Sequence, residues 1–348
     1  MISLAVKHRP KTFEDVVEQE SIKVILEQQL KTNSIRHAYL FTGGAGTGKT
    51  TCARIFADEI NHGQGSPIEM DAASHSSVED VRNIVQQAKS KSLDSEYKVF
   101  IIDECHAISL MGWQAFLKLL EEPPAKSLFI FCTTDPQKIP KTILSRVQRY
   151  DFQRISLEGI VKRLHYICNE ECICPPAPFI GSPYGEALEY IAKIADGGMR
   201  DAITLMDKAL SYSKDLTLEN VVKALGTTNY DIMFDLTDAY VYKDSGKKMI
   251  NIIEDLHSQG KDLKRFVKTY IQFLLDVNKY AIGCDWKQLG IPHLKEYEKK
   301  MDKWLKDNDI FASLLKEMVA IDNDIKYSST PRYDIEARMF LWMGGDNN

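Results

Sequence analysis

The first 155 residues alternate short apolar runs with segments whose apolar residues recur at helical spacing. Consecutive apolar residues are typical of strands that are buried on both faces of a parallel sheet. Predicted strands occupy residues 38–41, 68–70, 99–102 and 128–132, and predicted helices occupy residues 21–31, 51–60, 78–88 and 112–120. This alternation predicts an α/β domain over residues 1–155, with a parallel sheet between helices.

The pattern changes near residue 155 to helices alone, which marks a domain boundary. We therefore expect a helical domain over residues 156–226 and a second helical domain over residues 227–348. The basic segment 5–17 is broken by Pro10 and is predicted to form an extended arm. The predicted helices after the boundary cover residues 157–170, 184–195, 199–212, 218–225, 231–242, 246–257, 262–280, 293–305, 311–327 and 335–343.

Composition narrows the class of protein only a little. A chain of 348 residues favours two or three domains, and a net charge of −5 argues against non-specific coating of nucleic acid, although it allows a local basic face. The chain has no charged and apolar leader, and no apolar run reaches the roughly 18 residues that a membrane span needs. Seven scattered cysteines suit a reducing compartment. These features predict a cytoplasmic protein.

A glycine-rich loop follows the first predicted strand and precedes an amphipathic helix. Its spacing, G-x-x-x-x-G-K-T, is that of a phosphate cradle, in which glycines let backbone N–H groups point at phosphate oxygens. Lys49 is predicted to reach the β- and γ-phosphates of a nucleotide, and the Thr50 hydroxyl to bind Mg²⁺. The predicted nucleotide-binding residues of this loop are Gly43, Gly44, Ala45, Gly46, Thr47, Gly48, Lys49, Thr50 and Thr51.

Two carboxylates, Asp103 and Glu104, follow the apolar run 99–102. Folds with a parallel sheet bind ligands at the C-terminal ends of the strands. Asp103 is predicted to hold Mg²⁺, and Glu104 to polarise the water that attacks the γ-phosphate. A hydroxyl after the next apolar run, at Thr133 or Thr134, is predicted to contact the γ-phosphate or that water.

The cysteines and histidines do not have the spacing of a metal site. Cys105 and His106 form a lone adjacent pair, which is more typical of a structural or supporting contact than of a metal ligand. The run Cys168, Cys172 and Cys174 lacks the paired C-x2-C spacing of a zinc ribbon and is interpreted as free thiols.

Several short motifs occur in a fixed order along the chain: H-R-P at 8–10 with T-F at 12–13, the phosphate loop, D-A-A-S at 71–74, D-E-C-H at 103–106, L-L-E-E-P-P at 119–124, T-T-D-P-Q-K-I-P at 133–140, T-I-L-S-R at 142–146 and G-M-R-D-A at 198–202. In this series the chain resembles the ATPase subunit of bacterial sliding-clamp loaders, the gamma/tau subunit of DNA polymerase III, within the AAA+ class. The resemblance is dense from Ala5 to about Leu210 and only architectural beyond it.

The resemblance implies that the site binds and hydrolyses ATP with Mg²⁺. Thr134 or its neighbour Thr133 resembles a sensor at the γ-phosphate, and Arg200 resembles a second sensor that contacts nucleotide bound to its own subunit. Arg146 resembles an arginine finger that enters the neighbouring subunit's site and stabilises charge on the transferring phosphoryl group. By similarity, Arg9 and Pro10 border the adenine pocket.

The same resemblance implies a motor that works in an oligomer. Its expected partners are other clamp-loader subunits in a homo- or hetero-oligomer of pentameric form, a sliding clamp and primer–template DNA, with no membrane. ATP binding would open and grip the clamp, and primed DNA would trigger hydrolysis and release of the closed clamp. The residues expected to follow DNA phosphates, in a salt-sensitive manner, are Ser76, Ser77, Arg82 and Lys118.

The sequence departs from the family in two places. The four-cysteine zinc module that precedes D-A-A-S is replaced by the short connection 62–67, so no zinc is expected. Val147 stands where the family usually has a cysteine, which leaves Arg146 in place. The chain is therefore expected to be a compact form, without the zinc module and without the longer C-terminal domains of the tau form.

Two other functions compete with this prediction. A non-hydrolysing structural subunit of the same assembly would not need Lys49, Thr50, Asp103 and Glu104, all of which are present. A different AAA+ motor, such as a branch-migration helicase, would be expected to append a winged helix. The residues after Thr227 show no strand-turn-strand pattern, which argues against that motor.

Overall fold

The computed structural model describes residues 2–74, 77–92, 94–173, 182–225, 230–242, 246–304 and 308–345. The chain forms two compact units, Met1–Thr217 and Leu218–Asn348. The first unit contains the sheet, and the described residues of the second form helices and their connections, with no strand. The division into three domains at residues 155 and 226 stays a prediction.

Five parallel strands form the sheet of the first unit, in the order β2-β3-β4-β1-β5. Four of them coincide with the predicted apolar runs. The side chains of β1, β3 and β4 are largely buried because helices cover both faces of the sheet, whereas in β2 only Met70 is buried. The strands are β1 (Ala38–Thr42), β2 (Ile68–Asp71), β3 (Lys98–Asp103), β4 (Ser127–Thr133) and β5 (Gln148–Asp151).

The fifth strand, β5, was not predicted from the sequence. Its four residues, Gln-Arg-Tyr-Asp, contain a single apolar ring, and only Tyr150 is buried. β5 is the outermost strand of the sheet and pairs with β1 alone. It is therefore less enclosed than the central strands, and its side chains need not be apolar. A short polar edge strand therefore gives no periodic signal.

Nine helices surround the sheet or follow it within the described residues of the first unit. They are α1 (Leu4–Lys7), α2 (Glu20–Lys31), α3 (Lys49–Ile60), α4 (Val78–Ala88), α5 (Leu110–Glu121), α6 (Lys141–Leu144), α7 (Leu157–Glu170), α8 (Pro183–Ile194) and α9 (Met199–Tyr212). Helices α2 and α3 cover one face of the sheet, and α4 and α5 cover the other. Alternate residues of β1 separate accordingly, because Tyr39 packs toward the first pair and Leu40 toward the second.

The N-terminal segment differs from the extended arm that the sequence predicted. Leu4–Lys7 form one turn of α-helix, with the His8 N–H donating to the Leu4 carbonyl at 2.9 Å. Helix α1 packs against α9, and the Leu4 N–H donates to Asp207 Oδ2 at 3.2 Å. So short a helix is not stable by propensity alone, and tertiary contact with α9 stabilises it.

The second unit is a helical array with an aromatic core. The Phe234 ring stacks on Tyr297 at 4.5 Å and on Trp304 at 5.1 Å, and the Trp304 indole N–H donates to Asp238 Oδ1 at 2.7 Å. None of the helices in the described ranges has both the length and the apolar content that a membrane crossing requires. The helices of this unit are α10 (Leu218–Leu225), α11 (Tyr230–Val241), α12 (Gly246–Ser258), α13 (Leu263–Ala281), α14 (Lys295–Trp304), α15 (Asn308–Ile325) and α16 (Pro331–Gly345).

The aromatic layer under α5 is expected to dominate the stability of the sheet. Phe129 is fully buried between the stacked ring of Phe100 at 5.1 Å and the edge of Phe116 at 6.2 Å. Phe129→Ala should lower the free energy of unfolding of this unit by about 3–5 kcal/mol, because it leaves a cavity in a packed core. Hydrogen exchange of peptides from β3 and β4 measures this loss locally.

The matched control for this change is Val24→Ala, since Val24 is 61% exposed on α2. Its effect should stay within about 0.5 kcal/mol. Equal protection of β3 and β4 in Phe129→Ala and in the control would contradict the assignment of Phe129 to the core.

Candidate functional site

Strands β1, β3 and β4 are neighbours, and the residues predicted to bind nucleotide and Mg²⁺ lie at or just after their C-terminal ends. β4 lies between β1 and β3, and the register pairs Thr42 with Thr133 and Ile102 with Phe131. The glycine-rich loop leaves β1, Asp103 ends β3, and Thr133 ends β4. The sheet order therefore brings together groups that lie far apart in the sequence.

The backbone of the glycine-rich loop has the conformation that a phosphate cradle needs. Gly43, Gly46 and Gly48 have φ angles of 144°, 69° and 103°, a region that side chains disfavour. At Gly43 a Cβ would lie only 2.4 Å from the Phe152 carbonyl oxygen, so no larger residue fits there. Helix α3 begins at Lys49, directly after the loop, and its N-terminus contributes free N–H groups and a positive dipole end.

The Lys49 side chain lies within the loop. It is 6% exposed, and its ammonium donates to the carbonyls of Gly43 and Gly44 at 2.9 and 2.7 Å. Burial lowers the pKa of Lys49, and the carboxylates of Glu104 and Asp103 oppose that shift. A desolvated ammonium with acceptors on one side interacts strongly with a phosphate placed inside the loop.

Asp103 and Thr50 are joined directly. The Thr50 hydroxyl donates to Asp103 Oδ2 at 2.7 Å, and the Glu104 N–H donates to Asp103 Oδ1 at 3.0 Å. One carboxylate and one hydroxyl form a donor set that suits Mg²⁺, which binds few protein oxygens and retains waters and substrate phosphates. Among the described residues, no group of three or more His, Cys, Asp or Glu side chains forms a metal cage.

Glu104 follows β3 in a left-handed backbone conformation, with φ of 44°. Its Oε2 accepts a hydrogen bond from the Thr134 hydroxyl at 3.0 Å, and His106 Nδ1 lies 3.2 Å from the same oxygen. His106 Nδ1 also lies 3.1 Å from the hydroxyl of Thr133, which is fully buried. The structure thus separates the two threonines that the sequence left as alternatives: Thr134 contacts Glu104, and Thr133 contacts His106.

A pocket beside the loop contains most of the predicted nucleotide-binding residues. Its lining includes Arg9, Pro10, Ala45, Gly46, Thr47, Gly48, Lys49, Thr50, Thr51, Asp103, Glu104 and Arg200. Gly43 and Gly44 contact Lys49 through their carbonyls instead. Arg200 reaches the pocket because the Met199 N–H donates to the Gly46 carbonyl at 3.0 Å, which joins the first turn of α9 to the loop.

Sequence reasoning missed the apolar wall of this pocket. Val16, Val17, Ile155, Met199 and Ile203 line it. An apolar wall beside a phosphate-binding loop suits the flat ring of a nucleotide base. The adjacent valines at 16 and 17 stood out in the sequence as apolar residues outside a predicted helix or strand. The other residues of this wall were indistinguishable from ordinary core positions.

Sequence reasoning also missed the contacts that fix the N-terminal segment at the pocket. The Arg163 guanidinium donates to the His8 carbonyl at 3.0 Å, and both residues line the pocket. The Lys7 ammonium lies 2.6 Å from Glu171 Oε1, and the same carboxylate contacts the His8 ring. Lys7 and His8 hold the pKa of Glu171 below its usual value.

Arg146 lies outside the pocket of its own chain. Its guanidinium donates to Glu121 Oε1 and to the Thr142 carbonyl, both at 2.6 Å, and to Ser145 Oγ at 3.1 Å. The side chain is 33% exposed. Arg146 therefore has no contact with the phosphate loop of the same chain among the described residues.

Of the predicted DNA-binding residues, Arg82 lies on α4 and Lys118 on α5, and these two helices pack together. Arg82 and Lys118 are exposed. Ser77 caps α4: its hydroxyl accepts from the Asp80 N–H at 3.1 Å and donates to Asp80 Oδ2 at 2.6 Å, so helix capping already uses it. Ser76 lies outside the described residues.

Known proteins resemble the chain both in fold and in sequence. A solved structure of the RuvB Holliday junction branch migration motor from Thermotoga maritima matches with a TM-score of 0.51 at 18% identity, over 73% of this chain and 86% of that one. Residues 66–156 match the family model described as DNA polymerase III, delta subunit. Residues 159–215 match the DNA polymerase III clamp loader subunit, ATPase lid domain.

The fold and the site define a P-loop protein of the AAA+ ATPase class. DNA polymerase III subunit tau of Bacillus subtilis is 35% identical over 94% of this chain and 61% of its own length. DNA polymerase III subunit gamma of Buchnera aphidicola is 32% identical over 88% of both chains. The chain belongs to the DNA polymerase III gamma/tau subunit family. It spans 61% of the Bacillus subtilis protein and 42% of the Escherichia coli subunit tau, to which it is 36% identical.

Replacing the buried ammonium of Lys49 should weaken nucleotide binding. Lys49→Met keeps the length of the side chain and removes its charge. Since a hydrogen bond to a charged group contributes about 1.5–3 kcal/mol, the affinity for a non-hydrolysable ATP analogue should fall about 10–100-fold. Isothermal titration calorimetry measures this loss.

The matched control is Lys126→Met. Lys126 is 61% exposed and directly precedes β4, so it lies at the N-terminal ends of the strands, away from the glycine-rich loop. Its nucleotide affinity should equal that of the unmodified chain. Retention of full affinity in Lys49→Met would exclude the loop as the phosphate site.

Proposed function

We propose that the chain is the ATPase motor subunit of a DNA sliding-clamp loader. The observation that carries this proposal is a single connected set of groups at one sheet edge. Thr50 bonds Asp103, Asp103 bonds the Glu104 N–H, and Glu104 bonds Thr134, beside the buried Lys49. Membership in the gamma/tau family, whose relatives are named as DNA polymerase III subunits, supports the assignment.

In the proposed reaction, Lys49 and the loop N–H groups bind the β- and γ-phosphates of ATP. Thr50 and Asp103 would hold Mg²⁺, which supplies charge neutralisation on the phosphate oxygens. Glu104 polarises the attacking water, and the Thr134 hydroxyl contacts the γ-phosphate or that water. No base stronger than a carboxylate is required, because positioning and electrostatics account for most of phosphoryl-transfer catalysis.

Arg9 and Pro10 border the base, and Arg200 contacts the phosphates of nucleotide in the same chain. The position of all three in the pocket lining supports these roles. The N–H of Met199 bonds the Gly46 carbonyl, so a backbone contact holds the helix that carries Arg200 at the glycine-rich loop.

Arg146 acts on the neighbouring subunit. The location of Arg146 outside its own pocket supports a role in trans, because an arginine finger must reach a γ-phosphate that another chain binds. The motor then requires partner subunits, and we propose a pentameric ring or spiral. In it the AAA+ domain (1–155) and lid domain (156–226) hold nucleotide, and the helical domain (227–348) forms a collar.

Nucleotide binding orders the subunits so that they grip and open a sliding clamp in the cytoplasm. Primer–template DNA enters the centre, where Arg82 and Lys118 contact its phosphates, and it aligns Arg146 with the adjacent site. Hydrolysis then releases the closed clamp on DNA. The free energy of ATP hydrolysis drives a change of conformation of the loader, and no bond of the DNA is made or broken.

Two alternatives fit the molecule less well. A non-hydrolysing subunit would need neither the buried Lys49 nor the bonded pair Thr50 and Asp103. This chain shares its fold with the RuvB branch-migration motor, but an identity of 18% supports a common fold and not a common function. The described residues after Leu218 form helices and no strand, whereas a winged helix contains strands.

A complementation assay tests the role of Arg146 in trans. Lys49→Ala and Arg146→Ala should each reduce ATP turnover by the assembled loader, in the presence of clamp and primed DNA, by about 10³-fold. Mixed assemblies should regain turnover, because the intact loop of an Arg146→Ala subunit can face the intact finger of a Lys49→Ala subunit.

Lys126→Ala serves as the control and should turn over ATP at the normal rate, alone and in mixtures. Nucleotide affinity of Arg146→Ala should also be normal. Inactive mixtures would place Arg146 in the site of its own chain, and turnover that ignores both clamp and primed DNA would contradict the loader function.

Salt dependence tests the DNA face. For DNA binding by the assembled loader, the double variant Arg82→Ala/Lys118→Ala should lower the slope of log affinity against log salt concentration by about 2 for each subunit that contacts DNA, since each cation neutralises about one phosphate. Affinity for primed DNA should fall equally for all sequences. An unchanged slope, as expected for Lys126→Ala, would remove α4 and α5 from the DNA interface.

A further inference from the structure

We propose that Glu18 is a positioning residue for the nucleotide pocket, and that its carboxylate ties the segment carrying Val16 and Val17 to the first turn of α7. This inference rests on the ATP site of the proposed function, because it concerns the pocket wall that is assigned there to the base. Sequence reasoning assigned no role to Glu18, whose hydrogen-bond partner, Ser156, lies in a distant part of the chain.

The backbone at Glu18 has a conformation that its residue type disfavours. Glu18 and the next residue, Gln19, have φ angles of 57° and 60°, in the left-handed region. Among the described residues they are the only two consecutive non-glycine residues with positive φ. Such a conformation persists where surrounding contacts hold it, and it often occurs at functional sites. The contacts of these two side chains therefore indicate what the segment is held for.

Both side chains bond the segment that leads from β5 into α7. Glu18 Oε2 accepts from the Ser156 N–H at 3.1 Å, and Glu18 Oε1 accepts from the Ser156 hydroxyl. The Gln19 amide bonds both backbone groups of Gln153: it donates to the carbonyl at 2.7 Å and accepts from the N–H at 3.1 Å. Two adjacent side chains of one segment thus hold two places on the other.

Ser156 connects the carboxylate to α7. It is the N-cap residue of that helix, and its hydroxyl also accepts from the Gly159 N–H at 3.0 Å. A carboxylate beside the N-terminus of a helix interacts favourably with the positive end of the helix dipole. Glu18 therefore holds α7 at its first turn, where the helix has free N–H groups.

Gly159 makes room for the carboxylate. It lies in the first turn of α7, and a Cβ at this position would overlap Glu18 Oε1. Gly159 is not among the glycines with positive φ, so its backbone conformation does not require glycine. Glycine also weakens a helix relative to alanine. The close approach of Glu18 accounts for glycine at this position.

The contact between Glu18 and Ser156 joins two parts of the pocket wall. Val16 and Val17 directly precede Glu18 in the chain, and Ile155 directly precedes Ser156. These three apolar residues line the pocket. A wall that is held in place before nucleotide arrives lowers the ordering cost of binding. Loss of the carboxylate should therefore weaken binding of the base and leave binding of the phosphates unchanged.

Base-dependent binding measures this role. Glu18→Gly removes the carboxylate, and glycine adopts the left-handed conformation without strain, so the variant should fold. Its affinity for a non-hydrolysable ATP analogue should fall about 3–10-fold, because the freed side chains must be ordered on binding. Its affinity for inorganic tripolyphosphate, which has no base, should be unchanged. Isothermal titration calorimetry of the chain with Mg²⁺ measures both affinities.

Gly159→Ala tests the same contact from the side of α7. The new Cβ should displace the carboxylate, so affinity for the ATP analogue should fall as in Glu18→Gly, although alanine favours the helix. The double variant should show no further loss, because both changes remove one contact. A merely structural role would weaken binding of the analogue and of tripolyphosphate alike, or would make the two losses add.

The control variant is Lys126→Gly. Lys126 also has a left-handed backbone, with φ of 61°, and its side chain is 61% exposed and away from the pocket. This variant should bind both ligands as the unmodified chain does. An unchanged affinity for the ATP analogue in Glu18→Gly would overturn the proposal.

Failure of this inference differs from failure of the proposed loader function. The binding comparison uses the chain and its ligands alone, so it decides the role of Glu18 without clamp or DNA. If Glu18→Gly binds the analogue normally while wild-type turnover responds to clamp and primed DNA, the positioning role is wrong and the loader function stands. If the base-dependent loss occurs while turnover ignores clamp and DNA, the positioning role stands and the loader function is wrong.

Discussion

The site depends on the placement of β4 between β1 and β3. Parallel pairing in this order puts three C-terminal strand ends side by side, so that a phosphate loop, a carboxylate pair and two hydroxyls meet although about 90 residues separate the first from the last. The register is held by the buried rings on each face, among them Phe41 and Phe131. A slip by one residue would turn those rings to the wrong face and would separate the site at the same time. Packing of the core and geometry of the site are thus one constraint.

The parts of the site that the sequence revealed are those whose chemistry is contained in a few consecutive residues. The phosphate loop needs Gly43, Gly48 and Lys49 at fixed spacing because one turn of backbone must surround one phosphate group. The pair Asp103 and Glu104 was visible because it ends a buried strand. The long amphipathic helices were predicted for a similar reason, since each carries its own periodicity, and α7 and α9 have the predicted bounds. Edge strand β5 and the single turn α1 escaped prediction because tertiary contacts stabilise them and local pattern does not.

The supporting contacts could not be predicted, because each joins residues whose types are ordinary in their own segments. Ile155 and Ile203 read as core residues, and only the fold makes them part of the pocket wall. The pairing of Arg146 with Glu121 links a short helix to the end of α5 across 25 residues. The two threonines after β4 were equivalent in the sequence. Burial distinguishes them, because Thr133 is fully buried and Thr134 is exposed.

The backbone hydrogen bond from Met199 to Gly46 has a consequence for how free energy passes through this unit. It joins the first turn of α9 to the glycine-rich loop, with no side chain as intermediary. Binding free energies are reciprocal, so any tilt of α7, α8 and α9 that nucleotide favours will, when imposed by other means, tighten nucleotide binding by the same factor. A force applied to these helices at a distance from the pocket therefore changes the dwell time of the nucleotide. Load on these helices and occupancy of the pocket are thereby linked through Gly46, where only glycine fits easily, because a Cβ at that position would lie 3.0 Å from Gly198 Cα.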